Sequence, residues 1–440
     1  MRRTFLGLTS MIIVLTGLFS LRAHPVYAQG ASQPGSGNHV YLWGDDGTLL
    51  NQFDYADDQY VVHVWLNDDG THVMVALMSG EIIVYDVSGP RPEQIADRTF
   101  APPESDGYND PRIRGSIHST RVLIVEYQHS WLWDYATDTV LQEIDSLWTK
   151  ISPDGSQILL GDETGVQLMD AETGDLGAKI EFEAPRDEAW SPDGTKLALL
   201  SPSGVAIADI SDPAAAQIVY EQHDENQFHG GTSTIAWSPD GSALMVVANP
   251  LENTGLQGRV LLIDTASLTD RFQLSFPHLI ASAAWSSDSS RLLLTLVDDA
   301  FYYVHDAIAG DPLSAAALPS PVASAEWTPD EDRIFTVTDG YAAYSLIDTA
   351  TNALLYDRPQ EDLSVGYGYV LLKWSPDRSA VAALLMPTNT LEILHVEDYQ
   401  PDEPVGPPIL SVLPHADTIL GMVWSGDGSR IVTFTGVNFG

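Results

Sequence analysis

One short phrase, repeated along the chain, limits the fold more than any other feature. It is an apolar run ending in tryptophan, a Ser-Pro-Asp-Gly-like turn, and a second apolar run. Clear copies start at Trp190 and Trp237 (both W-S-P-D-G), Trp285 (W-S-S-D-S), Trp327 (W-T-P-D-E), Trp374 (W-S-P-D-R) and Trp424 (W-S-G-D-G). Trp65 opens W-L-N-D-D-G, Ile151 replaces the tryptophan in I-S-P-D-G, and Gly115 marks a degraded copy, G-S-I-H-S. Successive anchors lie 36 to 50 residues apart. Such a period fits units of several short strands better than helical solenoids. The fixed place of the tryptophans makes them core anchors and not a sugar-binding stripe.

Each unit has the same internal grammar. In the turn after the anchor, proline sets φ, aspartate bonds the local backbone and glycine supplies a positive φ. The flanking runs, such as 197–200 and 243–247, have strand length and strand composition. A third run ends in an acid, at Asp86, Asp134, Asp170, Asp209, Asp264, Asp306 and Asp348, and a further turn leads to a fourth strand, as at 179–182. Four antiparallel strands per repeat make a propeller blade. The predicted fold is therefore all-β: a single β-propeller of eight or nine four-stranded antiparallel blades. Residues 39–53 read as third and fourth strands lacking the first two, and residues 416–437 as a first and second lacking the last two. Joining them completes one blade from both ends of the chain and removes two exposed sheet edges.

The phrase and its period resemble WD-repeat propellers over residues 39–440. Leu132-Trp133-Asp134-Tyr135-Ala136-Thr137 looks like the family's third-strand ending. Leu413-Pro414-His415-Ala416-Asp417, ahead of Trp424, looks like its histidine-and-aspartate lead-in. The Trp-Asp pair occurs once, and the Gly-His pair is replaced, since His278 and His415 follow proline. The resemblance implies the fold. It selects no functional subfamily, and the hydrogen-bonded tetrad that stiffens typical blades is not expected in most units.

Charge narrows the partners. Acids outnumber bases by 61 to 20, giving a net charge of −41 and a pI near 4.2. That field repels a phosphate backbone, so nucleic acid is excluded as a partner. The chain has no cysteine, which removes disulfides, thiolate metal sites and cysteine nucleophiles. Arg2 and Arg3, an apolar stretch over 5–21 and Val26-Tyr27-Ala28 make residues 1–28 a signal peptide, followed by a flexible leader over 29–38 and the propeller over 39–440. Export by the twin-arginine or the general secretory route is expected, to the periplasm, cell envelope or extracellular space. No later stretch reaches the ~18 apolar residues a spanning helix needs.

Catalytic signatures are absent. There is no G-x-S-x-G, no H-E-x-x-H and no phosphate-binding glycine loop. The acid pairs Asp45-Asp46, Asp57-Asp58, Asp68-Asp69 and Asp298-Asp299 lack the calcium-loop pattern. No catalytic residue, metal or cofactor is expected.

Loop lengths point elsewhere. Turns after the anchor and after the third-strand acid share one end of the ring and are short. Connections between second and third strands and between blades share the other end. To that end are assigned the variable segments 101–111, 221–231, 249–258, 357–366, 387–390 and 397–408. Variable loops on a rigid scaffold are where binding concentrates, which makes Tyr108, His223, Phe228, His229, Tyr367 and Tyr399 the candidate binding residues. The function expected is a non-catalytic exported scaffold that binds a protein or peptide through its loop-rich end. The alternatives are a metal-assisted propeller hydrolase, lactonase or phosphoesterase, and a periplasmic docking protein similar to the TolB family.

Overall fold

Segments such as Lys196–Ser201 (KLALLS) and Ala243–Ala248 (ALMVVA) are apolar without alternation. A strand of that kind is buried on both faces. In a computed structural model of the protein both are second strands of four-stranded antiparallel sheets, and Ala243–Ala248 is buried at every residue. The structure describes residues 38–435, apart from 57, 68, 101–111, 118–119, 127, 224–232, 251–256, 319–320, 329–330, 339–343, 359–368, 377–378, 387–389, 396–408 and 416–418.

Nine four-stranded sheets form. Eight are continuous in sequence, here blades 1 to 8: residues 61–99, 112–145, 148–181, 187–223, 234–276, 280–317, 322–358 and 369–414. The ninth, the closing blade, takes Ile419–Trp424 and Arg430–Thr435 as its first two strands and Asn38–Gly44 and Leu49–Tyr55 as its last two. Asn38–Gly44 pairs antiparallel with Arg430–Thr435, from Val40 opposite Phe434 to Gly44 opposite Arg430. The blades form a closed ring, first strands side by side at the centre and fourth strands at the rim. The protein is a nine-bladed β-propeller. The degraded unit is a true blade, with Gly115 inside its first strand, Arg112–Ile117.

The core is divided. Nine apolar clusters each join two neighbouring blades. Each anchor faces the preceding blade: Trp237, fully buried, packs with Ala198, Leu200, Val205 and Ile207 of blade 4. Its indole N–H donates to the carbonyl of Ala189, the residue before the previous anchor, at 2.8 Å. Trp285 donates in the same way to Ala236 and Trp424 to Lys373, at 3.2 and 3.0 Å. At Trp237, Trp285 and Trp424 one side chain thus supplies both interface area and a hydrogen bond that fixes the height of one blade on the next.

Blade 1 departs from this. Asn67 takes the turn position serine holds elsewhere: its side-chain oxygen accepts from His72 N at 2.8 Å, as Ser152 Oγ does from Gln157 N at 2.9 Å. The anchor position is therefore Leu66, which packs on Val432 and Phe434 of the closing blade. Trp65 stands one residue earlier. Because side chains alternate along a strand, it faces blade 2 instead. The sequence-based assignment of Trp65 as an anchor is corrected to Leu66, while Trp190, Trp237, Trp285, Trp327, Trp374 and Trp424 hold the anchor position.

The WD-like ending also behaves differently from its resemblance. Trp133 Nε1 donates to Asp138, in the turn after its own strand, at 3.1 Å. A chain of the tetrad type occurs instead in the closing blade. There the Trp43 indole donates to Thr433 Oγ1 at 3.0 Å, and His415 Nε2 lies 2.7 Å from the same oxygen. Thr433 is fully buried. Residues from both ends of the chain thus share one buried hydroxyl.

Candidate functional site

The short-turn end is chemically occupied by its own acids. In blade 4, Ser191 Oγ donates to Asp193 at 2.6 Å, Thr195 N to the same carboxylate at 3.0 Å, and Lys196 N to Ser191 Oγ at 2.9 Å. Gly194 sits at φ 69°, the left-handed conformation the turn requires. The arrangement recurs around Asp154, Asp240, Asp288 and Asp427. The acids ending the third strands do equivalent work. Asp86, Asp170, Asp209 and Asp264 each accept the backbone N–H two residues on.

These bonds favour the carboxylate form. The Ser191 hydroxyl is the main cause that holds Asp193 at about 2, and Ser286 does the same for Asp288, also at about 2. A carboxyl depressed in the folded state stabilises it above the unfolded value near 3.8 and loses that contribution as pH falls through the folded value. The melting temperature should therefore drop between about pH 4 and about pH 2. Ser191→Ala should make that drop shallower, because Asp193 then titrates closer to its unfolded value. Thermal melts across this range test both statements, and a flat profile in the wild type would contradict them.

At the other end, His223 closes the fourth strand of blade 4 (Gln217–His223) and is exposed, with Nε2 3.2 Å from Glu221 Oε1. Tyr108, Phe228, His229, Tyr367 and Tyr399 lie outside the described residues. The described strands bound these segments: Thr99 and Arg112, His223 and Thr234, and Arg358 and Tyr369 end one blade and begin the next, and Thr390–His395 and Ile409–Pro414 are the third and fourth strands of blade 8.

The acid pairs are engaged locally where they are described. Asp46 accepts from Thr48 N at 2.8 Å, and Asp299 from the Tyr303 hydroxyl at 2.8 Å. Among the described residues no group of three or more His, Asp or Glu side chains is placed to hold a metal ion. Among them, too, no helix is long and apolar enough to cross a membrane.

Sequence reasoning missed a set of charges on the first strands. Lys150 of blade 3 pairs with the buried Glu188 of blade 4. Next to it, buried Asp187 accepts from Thr234 Oγ1 at 2.9 Å and Ile235 N at 3.1 Å, both in blade 5. Burial lowers the Lys373 amine below the usual lysine value. The signal was legible. The position before the anchor holds alanine in Ala189, Ala236 and Ala284 but a charge in Lys150, Glu326 and Lys373. The described contacts of Lys150, Glu188 and Asp187 join blade to blade, which is structural work.

A eukaryotic initiation factor matches with a TM-score of 0.60 at 12% identity, covering 83% of this chain and 94% of that one. The fold is that of WD40 propellers. The C-terminal WD40 domain of Sif2 matches with a TM-score of 0.52 at 13% identity, covering 86% of this chain and 96% of the domain. At such identities the likeness concerns the propeller architecture alone. No family model matches the sequence, and no curated protein is significantly similar to it.

Proposed function

We propose that this propeller is a non-catalytic scaffold that acts after export, and that it binds a protein or peptide through its loop-rich end. The observation that carries the reading is the asymmetry of the two ends, to which the long third-to-fourth-strand connection of blade 8, between His395 and Ile409, is the exception. At one end the serine–aspartate staple recurs in blade after blade. At the other, connections range from Ser146-Leu147 between blades 2 and 3 to the long segments 101–111, 224–232 and 359–368. Length and sequence vary where the scaffold does not constrain them, and that end carries Tyr108, Phe228, His229 and Tyr367. Aromatic side chains on such loops suit a protein surface, where tyrosine and tryptophan dominate binding energy. The excess of acids favours a basic or polar partner. Export rests on the character of residues 1–28.

The test uses the mature protein as bait against envelope and medium fractions, followed by affinity measurement with the recovered partner. The double variant Tyr108→Ala, Phe228→Ala should bind about 30-fold more weakly, the cost of losing one hot-spot contact of about 2 kcal/mol. Ser191→Ala, at the short-turn end, should bind as the wild type does. The reverse pattern would place the partner on the wrong end of the ring.

A further inference from the structure

The rim of the ring consists of fourth strands, each an edge of its sheet. In an antiparallel pair alternate residues bond inward, and those between turn their N–H and C=O outward. In blade 6 the Leu318 N–H donates to Ala300 O at 2.7 Å. The residues of Pro312–Ala317 that turn outward are therefore Ala315 and Ala317, which lie opposite Tyr303 and Phe301. Both alanines are exposed.

In every other blade at least one of the same two positions is protected. They hold Asp97 and Thr99 in blade 1, Glu143 and Asp145 in blade 2, Lys179 and Glu181 in blade 3, and Glu221 and His223 in blade 4. Blade 5 has Gln273 and Ser275, and the closing blade Gln52 and Asp54. Asp357 stands at the first of them in blade 7, and blade 8 has Val412 at the first and, at the second, Pro414, which has no N–H to offer. Charges, long polar side chains and proline are the usual means of keeping an edge strand from pairing. Blade 6 has none of them at these positions.

What surrounds that edge suits a peptide. Leu313 is 53% exposed and Phe301 40%, and the exposed Ile308 lies in the adjoining turn. Phe301 stacks on Tyr303, with ring centroids 6.3 Å apart. Acids flank the edge at both ends: Asp298 and Asp299 ahead of the third strand, Asp306 and Asp311 at the turn. A second copy of this chain would bring the same acids, and a net charge of −41, against them. A strand with basic ends meets no such repulsion.

We propose that the rim of blade 6 is a strand-addition site. An extended segment of a partner protein, apolar at alternate positions and basic at both ends, pairs with the outward backbone groups of Ala315 and Ala317 and becomes the blade's fifth strand. Main-chain bonds hold it, while Leu313 and Phe301 take its side chains. The site is separate from the loop-rich end and does not depend on it.

The probe is a fluorophore-labelled synthetic peptide that alternates valine and threonine between two pairs of lysines, titrated by anisotropy at physiological ionic strength. Ala315→Pro removes an outward donor and leaves the bonds to the third strand in place. Ala317→Lys restores the kind of guard found in blade 3. Saturable binding to the wild type, weakened about tenfold or more in each variant at unchanged melting temperature, supports the site. A peptide with proline at its centre should not bind. The proposal is overturned by no binding to the wild type, or by equal binding to all three proteins, which would mean mere attraction to an acidic surface. It is also overturned if sedimentation shows wild-type dimers that Ala315→Pro abolishes, since the occupant is then a second copy. None of these outcomes bears on the Tyr108 and Phe228 test.

Discussion

Deleting residues 38–55 is expected to abolish cooperative folding. The two strands in that segment supply half of the closing blade, and Val40, Tyr41, Leu42, Trp43 and Phe53 within them are buried. At about 1.5–3 kcal/mol for each large side chain, their loss removes about 7–15 kcal/mol. That is the whole stability of a typical domain. Deletion also bares the edge of Arg430–Thr435 and unseals two inter-blade clusters at once. The sharper half of the prediction is a rescue. Val40 pairs with Phe434, so residues 38 and 435 lie beside each other. A permuted chain that starts after residue 55 and joins 435 to 38 by a short hairpin should fold and melt cooperatively. Circular dichroism melts of deletion and permutant decide it. A deletion variant that melts like the wild type would mean the ring does not need its closing blade.

Trp237→Ala should be the most damaging single substitution. The side chain is fully buried between blades 4 and 5, and it carries the bond to Ala189. Truncating a buried tryptophan costs about 3–5 kcal/mol, since a cavity remains where the ring was. Trp237→Phe keeps much of the volume but leaves the Ala189 carbonyl without this donor, and should cost about 1–3 kcal/mol. Trp65→Ala should cost less than Trp237→Ala, because Trp65 is half-buried and off the anchor position. Urea unfolding of the three variants gives the order. Equal losses at Trp65 and Trp237 would contradict the distinction between anchor and neighbour.

How much of this was legible depends on whether a feature is local. The anchors, the turns and the third-strand acids each write themselves in a few consecutive residues, and the architecture follows from counting them. The closing blade was legible as well, because 39–53 and 416–437 each lack what the other has. Two local signals misled. In W-L-N-D-D-G the tryptophan looks like an anchor, and only the bond geometry at Asn67 shows that the turn begins one residue later. In blade 8 the third strand ends in His395 where blades 1 to 7 have aspartate. The missing acid hid the strand's end. Asp187 reaching Thr234, and Trp43 meeting Thr433, are pairings across long stretches of chain that no window of sequence contains. The candidate binding residues rest on loop length, a statistical property, and of the six only His223 lies among the described residues.

The hydroxyl of Thr433 joins residues 390 positions apart in the chain. Polypeptide leaves the ribosome in one direction, so the hairpin of residues 38–55 is made first and its partner strands last. Bringing two points that far apart together in a flexible chain costs about 3 kcal/mol more entropy than closing a loop of about ten residues. That cost vanishes once blades 1 to 8 have stacked, because the growing arc itself carries the two hairpins to the same place. Closure is then the final event of assembly, and its rate is set by how fast the arc forms. A chain halted before residue 419 would hold eight finished blades and an open gap. The first hairpin it made would still be waiting for a sheet to join.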